Sequence, residues 1–173
     1  MNGTARSGAL LSRADSARLA IQVAVVSLLS YLIGFRFTSL FHGGSASTGA
    51  LWSMITGILV FQGTWRGTWS SAMIRVLGTL VGSVVSGVYL SLLPFSPLGM
   101  AGSILVTVLI CHAAQIPDHA RLASLTVAVV MVLASQNTSL SPPLGAMLRF
   151  GESCLGAAMA LIVARLSPEP QVS

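Results

Sequence analysis

Arg149 and Glu152 stand three residues apart inside an otherwise apolar stretch, 144–166, near the end of the chain. On a helix that spacing puts both side chains on one face, where an intrahelical ion pair is geometrically available. Glu152 is the only carboxylate in any apolar segment; Asp15, Asp118 and Glu169 fall in tails or loops. It lies about 12 Å into a helix that begins near Leu144. An ionised carboxylate at that depth in a bilayer costs several kcal/mol unless paired or hydrated. Two chemistries suit the pair. In one, Arg149 attracts an anionic substrate and Glu152 exchanges a proton; in the other, the two form a permanent structural bridge. Arg75 holds a similar place one turn inside an earlier apolar stretch, from which its long side chain can snorkel to the headgroups.

Uncharged polar residues form a second set. Gln62 and Thr64 close one short apolar segment, and Gln136, Asn137 and Thr138 close another. They serve either as donors and acceptors for a ligand or as ordinary helix ends reaching the headgroups. Trp52, Trp65 and Trp69 divide in the same way between stacking on an aromatic ligand and anchoring at the membrane boundary. Cys111 and Cys154 are isolated from each other, so no CxxC motif exists. His112, Asp118 and His119 gather near one turn but fall short of a metal-ligand set. No nucleophile elbow, phosphate-binding glycine loop or HExxH is present, and the expectation is a non-enzyme with no metal and no cofactor.

The elements that position these residues are apolar. Of 173 residues, 54% are hydrophobic and 8% charged, with a mean hydropathy of +0.85. A soluble domain carries roughly a quarter charged residues, so lipid is the implied solvent. Six apolar segments run over about 19–35, 50–62, 72–93, 98–116, 121–136 and 144–166. The seven prolines fall between or beyond them, as helices require, and none shows the two-residue alternation of a barrel strand. The second and fifth are the shortest, and short spans at matching places point to broken helices around a binding site.

A passage recurs at an offset of 74 residues. Gln62-Gly63-Thr64 leads to Ala72-Met73-Ile74-Arg75, Gly78 and Gly82; Gln136-Asn137-Thr138 leads to Ala146-Met147-Leu148-Arg149, Glu152 and Gly156. Three segments per copy is an odd number, so the copies face opposite sides of a membrane. The expected fold is all-α: six transmembrane helices in two inverted three-helix repeats. All nine basic residues are arginines. With the N-terminus inside, Arg6, Arg13, Arg18, Arg66, Arg75, Arg121 and Arg165 lie towards the cytoplasm, and Arg36 and Arg149 towards the outside, which favours both ends inside. The net charge of +5 therefore belongs to topology and not to nucleic acid. Residues 1–16 read as a cytoplasmic tail, 17–166 as the membrane domain and 167–173 as a frayed cytoplasmic end. A cleaved signal peptide over 1–47 is the competing account of the N-terminus, with a first segment longer than a usual signal core. Small residues recur every fourth position after each arginine: Gly78, Gly82 and Ser86, then Gly156, Ala160 and Ala164. Such stripes let helix backbones approach closely, within the chain or across a dimer.

Leu51-Trp52-Ser53-Met54-Ile55-Thr56, followed by Arg75-x-x-Gly78-Thr79-x-x-Gly82, resembles the fusaric acid resistance protein-like membrane domain of the aromatic acid exporter superfamily. Arg149-x-x-Glu152-x-x-x-Gly156 is similar to the same pattern, and the resemblance covers about residues 15–166. It implies a bacterial-type inner-membrane unit that exports aromatic or related small organic anions, driven by the proton gradient, with Arg75, Thr79, Arg149 and Glu152 as motif residues. Larger members carry two membrane units and a soluble domain; a homodimer or higher oligomer, or a periplasmic efflux partner, would complete this single unit. A rival of another class is a non-transporting scaffold of an efflux or envelope complex. A channel is a third option, and no ring of like charges supports it.

Overall fold

Six α-helices and two single 3₁₀ turns make up the described residues, with no strand among them. The structure is a computed structural model that describes residues 3–136 and 140–167, with side chains from residue 16 onward. The helices are α1 Gly3–Phe41, α2 Ala46–Val60, α3 Trp65–Leu92, α4 Pro97–Ala113, α5 Ala120–Gln136 and α6 Pro142–Leu166. Local chemistry sets their ends. Thr64 caps α3 by accepting from the Gly67 N–H at 3.3 Å, and Ser96 caps α4 by accepting from the Gly99 N–H at 3.0 Å. Pro97 and Pro142 open α4 and α6, where a missing N–H does no harm. Gly63, at φ +71°, turns the chain between α2 and α3.

Several boundaries depart from the sequence expectation. The helical backbone of α1 runs back through the arginine-bearing segment to Gly3, over alanine, leucine and arginine with no proline to stop it. Four stretches are long and apolar enough to cross a membrane: Ser16–Phe41, Trp65–Leu92, Pro117–Gln136 and Pro142–Leu166. The second and fifth segments are not broken helices, and the fifth is not singled out by length. Both α2, of 15 residues, and α5, of 17, are continuous, and α4 also has 17. Each of α2 and α5 instead continues from a 3₁₀ turn, Gly43–Ser45 and Pro117–His119. The two turns stand at the 74-residue offset of the sequence repeat (43 to 117), and the second lengthens the fifth apolar run to 20 residues.

The bundle centres on α3 packed against α6. On α6 lies α2, on α3 lies α5, and the outer positions go to α1 against α2 and α6 and to α4 against α5 and α3. Exchanging α1–α3 for α4–α6 maps this set of pairings onto itself. Gly82 meets the Ala123 carbonyl and Thr126 of α5, while Gly156 meets the Ser53 carbonyl, Thr56 and Gly57 of α2. A Cβ at either glycine would run into backbone, which is why both stripes are small. Ser86 turns its hydroxyl onto the Gly82 carbonyl of its own helix, and Ala160 joins Val26, Val60 and Ala72 in a buried apolar cluster.

Polarity is inverted relative to a soluble protein. Leu28, Leu32, Val84, Val88, Leu105 and Leu109 are exposed, while Thr38, Ser53, Thr56, Arg75, Thr79, Arg149 and Glu152 are buried. Apolar exteriors with polar interiors are what hydrocarbon imposes. The chain is a multi-pass helical membrane protein.

Replacing Gly82 or Gly156 by Leu should therefore destabilise the bundle by about 1–3 kcal/mol or more through overpacking. Gly102→Ala, where a Cβ meets nothing within 4 Å, should leave it unchanged. Thermal melts of the purified protein in detergent separate the two classes.

Candidate functional site

Glu152 is fully buried where α6 meets α1 and α2. Its Oε1 accepts from Arg149 Nη2 at 2.8 Å and from Thr38 Oγ1 of α1 at 2.7 Å. Its backbone carbonyl accepts from Ser53 Oγ of α2 at 2.8 Å. Room for the carboxylate comes from Gly49 of α2, since a Cβ there would occupy the space of Glu152 Oε1 and the Thr38 hydroxyl. The second carboxylate oxygen, Oε2, is buried without a hydrogen-bond partner.

Arg149 connects this centre to a cleft. The cleft has a volume of about 150 Å³ and is walled by Gly44 and Ser45 of the first 3₁₀ turn with Thr48 of α2, by residues of the last turns of α5 including Val130 and Gln136, and by residues at the start of α6 including Pro142, Gly145 and Arg149. Arg149 Nη1 reaches the Thr48 carbonyl at 3.5 Å, a long contact that leaves donor capacity on that side. Glu152 lies about one turn further from the mouth on the same helix. The first turns of α2 and α6 both border the cleft, and helix N-termini carry partial positive charge. Arg149 and the starts of α2 and α6 bring positive potential to the cleft, and the C-terminal end of α5 opposes it in part.

A second arginine lies in the bundle. Arg75 does not snorkel to the surface: it is 1% exposed, with its Cζ 5.2 Å from the centroid of the Trp52 ring. Its Nε and Nη2 donate to Thr56 Oγ1 at 3.4 and 3.3 Å. The aromatic face and the hydroxyl hold the guanidinium inward against the pull of the headgroups. Thr79, one turn on along α3, is fully buried with an unpartnered hydroxyl.

The other residues singled out by sequence lie apart from this centre. Gln62 is exposed, with its amide on the Leu59 carbonyl at 3.3 Å, and Thr64 is a helix cap. Gln136 is exposed and borders the cleft, while Asn137 and Thr138 lie outside the described residues. Trp65 stacks under Arg165 at 5.5 Å and neighbours Trp69 at 5.9 Å, away from Trp52. Sequence reasoning missed Thr38, Gly49, Ser53 and Thr56. A signal for three of them exists: Gly49, Ser53, Thr56 and Gly57 recur at helical spacing along α2 and mark a small, polar face. Nothing local marks Thr38, which meets Glu152 across 114 residues of chain.

Fold and site together define a polytopic helical membrane protein built around buried arginines and one buried carboxylate. The family model described as fusaric acid resistance protein-like matches residues 25–163, which takes in the C-terminal part of α1, all of α2 to α5 and most of α6. The chain belongs to this family, a family of membrane transporters. No curated protein and no solved structure shows significant similarity to it.

Arg149→Ala leaves the Glu152 carboxylate buried without its cation and should cost about 3–5 kcal/mol. Gly49→Ala should cost about 1–3 kcal/mol by forcing the Thr38 hydroxyl and the carboxylate apart. Gly43→Ala, with nothing within 4 Å of the new Cβ, should be neutral. Chemical denaturation in mixed micelles ranks the three.

Proposed function

We propose that this chain is a subunit of an inner-membrane exporter for small organic anions such as aromatic acids, coupled to protons through Glu152. The observation that carries the reading is the buried Arg149–Glu152 pair at the inner end of an anion-suited cleft. One guanidinium faces two carboxylates in turn. When Glu152 is ionised it occupies Arg149; when Glu152 takes a proton, Arg149 is free for the carboxylate of a ligand in the cleft. Anion binding and protonation of Glu152 then favour each other, so the acid and the proton leave together as a neutral pair, down the outward gradient of the acid itself.

The helices form two inverted three-helix repeats. The 74-residue offset shared by the sequence copies and the two 3₁₀ turns supports this, as does the set of helix pairings that survives exchange of the halves. Inverted repeats place a site between them and let it open to either side. With seven of nine arginines on one side, both termini are cytoplasmic and the cleft opens to the periplasm. A homodimer or higher oligomer, or a periplasmic partner, completes the working unit.

Efflux of a panel of aromatic acids from cells lacking or overproducing the protein tests the reading. Overproduction should lower the internal level of at least one acid, and Glu152→Gln should cut that efflux tenfold or more. Unchanged levels for every compound, with Glu152→Gln indistinguishable from the parent protein, would rule it out.

A further inference from the structure

The two arginines occupy equivalent places in the sequence copies, but their surroundings differ in one decisive respect. Arg149 has a counterion three residues on. The position equivalent to Glu152, 74 residues earlier, is Gly78. A Cβ at Gly78 would lie 3.1–3.3 Å from the His119 carbonyl, Leu122 and the Ala123 N–H, so any longer side chain would have to push α5 away. Among the described residues no carboxylate contacts the buried Arg75. Asp118 is exposed, and Glu152 is held by Arg149.

Unused donors lie beside Arg75 and along its helix. Its Nη1, the indole Nε1 of the Trp52 ring that it faces, and the Thr79 hydroxyl one turn along α3 are all buried without partners. A cation out of contact with water needs a neutralising group, and buried N–H donors need acceptors. A monovalent carboxylate supplies both: negative charge for the guanidinium and oxygens for the surrounding donors.

We propose that Arg75, with Trp52 and Thr79, is a second anion station that binds the carboxylate of the transported acid on the cytoplasmic side of the Arg149–Glu152 pair. The inference rests on the reading of the chain as an anion exporter. Thr56 orients the guanidinium, and the Trp52 ring shields its other surroundings.

Fluorescence of Trp52 tests the station directly. In a Trp65→Phe/Trp69→Phe protein, reconstituted in nanodiscs and checked for retained efflux in cells, Trp52 is the single indole. Iodide is both an anion and a quencher. It should quench Trp52 saturably, benzoate should restore the emission by competition, and Arg75→Gln should weaken the saturable component at least tenfold. Arg75→Lys, which keeps the charge, should retain part of it, whereas a purely structural arginine predicts no saturation in the parent protein. Quenching that is absent or strictly linear with iodide overturns the proposal. Saturation relieved by chloride but not by benzoate also overturns it, since the station then holds a small halide and not the transported acid. The outcome separates from that of the efflux assay: efflux without saturable quenching removes this station alone, and saturable quenching without efflux removes the transport reading alone.

Discussion

A carboxylate inside hydrocarbon must be surrounded by protein, and Glu152 imposes that condition on half of this molecule. One oxygen ties together Arg149 of its own helix and Thr38 of α1, while the carbonyl of the same residue takes the Ser53 hydroxyl of α2. Three helices are thereby fixed relative to a single residue. Gly49 follows from the same need, being the only residue type whose side chain leaves the carboxylate and the Thr38 hydroxyl their space. Replacing Glu152 by an apolar residue would remove the carboxylate's hold on Arg149, Thr38 and Gly49 at once, while Ser53 would keep its backbone partner.

The other half of the bundle solves its packing without charge. At Gly78 and Gly82 the backbone of α5 approaches α3 directly, and Thr126 turns its hydroxyl back onto the Leu122 carbonyl. Lipid tails are as apolar as leucine, so no hydrophobic force draws helices together within the bilayer, and close backbone approach with interhelical hydrogen bonds must do so. That explains where a 54% hydrophobic composition goes. Its large side chains, such as Leu32, Val88 and Leu105, face outward, and the interior is built of glycine, alanine, serine and threonine.

What could be read from the chain divides along the same line. The helical class, the membrane setting and the contacts of Gly78, Gly82 and Gly156 were legible, because periodicity and small-residue spacing are local properties of one helix. The Arg149–Glu152 bridge was legible as an option for the same reason. Thr38 was not, because its partner lies 114 residues away and a lone threonine in an apolar helix carries no sign of it. Arg75 was misjudged. Snorkelling follows from depth alone, whereas the Trp52 ring and Thr56 on a neighbouring helix hold the side chain in. The second segment is short as read, though unbroken, while the fifth was misjudged, because hydropathy does not register the 3₁₀ turn Pro117–His119 that carries it to 20 residues.

The difference between Glu152 and Gly78 bears on how each arginine is neutralised. Two arginine stations with identical surroundings would bind an anion equally well, and a symmetric carrier has no preferred side. A built-in carboxylate at one station competes with the ligand there; its absence at the other leaves the ligand unopposed. On the proposed reading, an ionised Glu152 competes with the anion for Arg149, and no carboxylate among the described residues does so at Arg75. A ligand shifts a two-state protein only by its differential affinity for the two states, and here one residue supplies that difference. The contrast rests on a single side chain: Glu152 gives Arg149 a counterion from within the chain, and Gly78 gives Arg75 none.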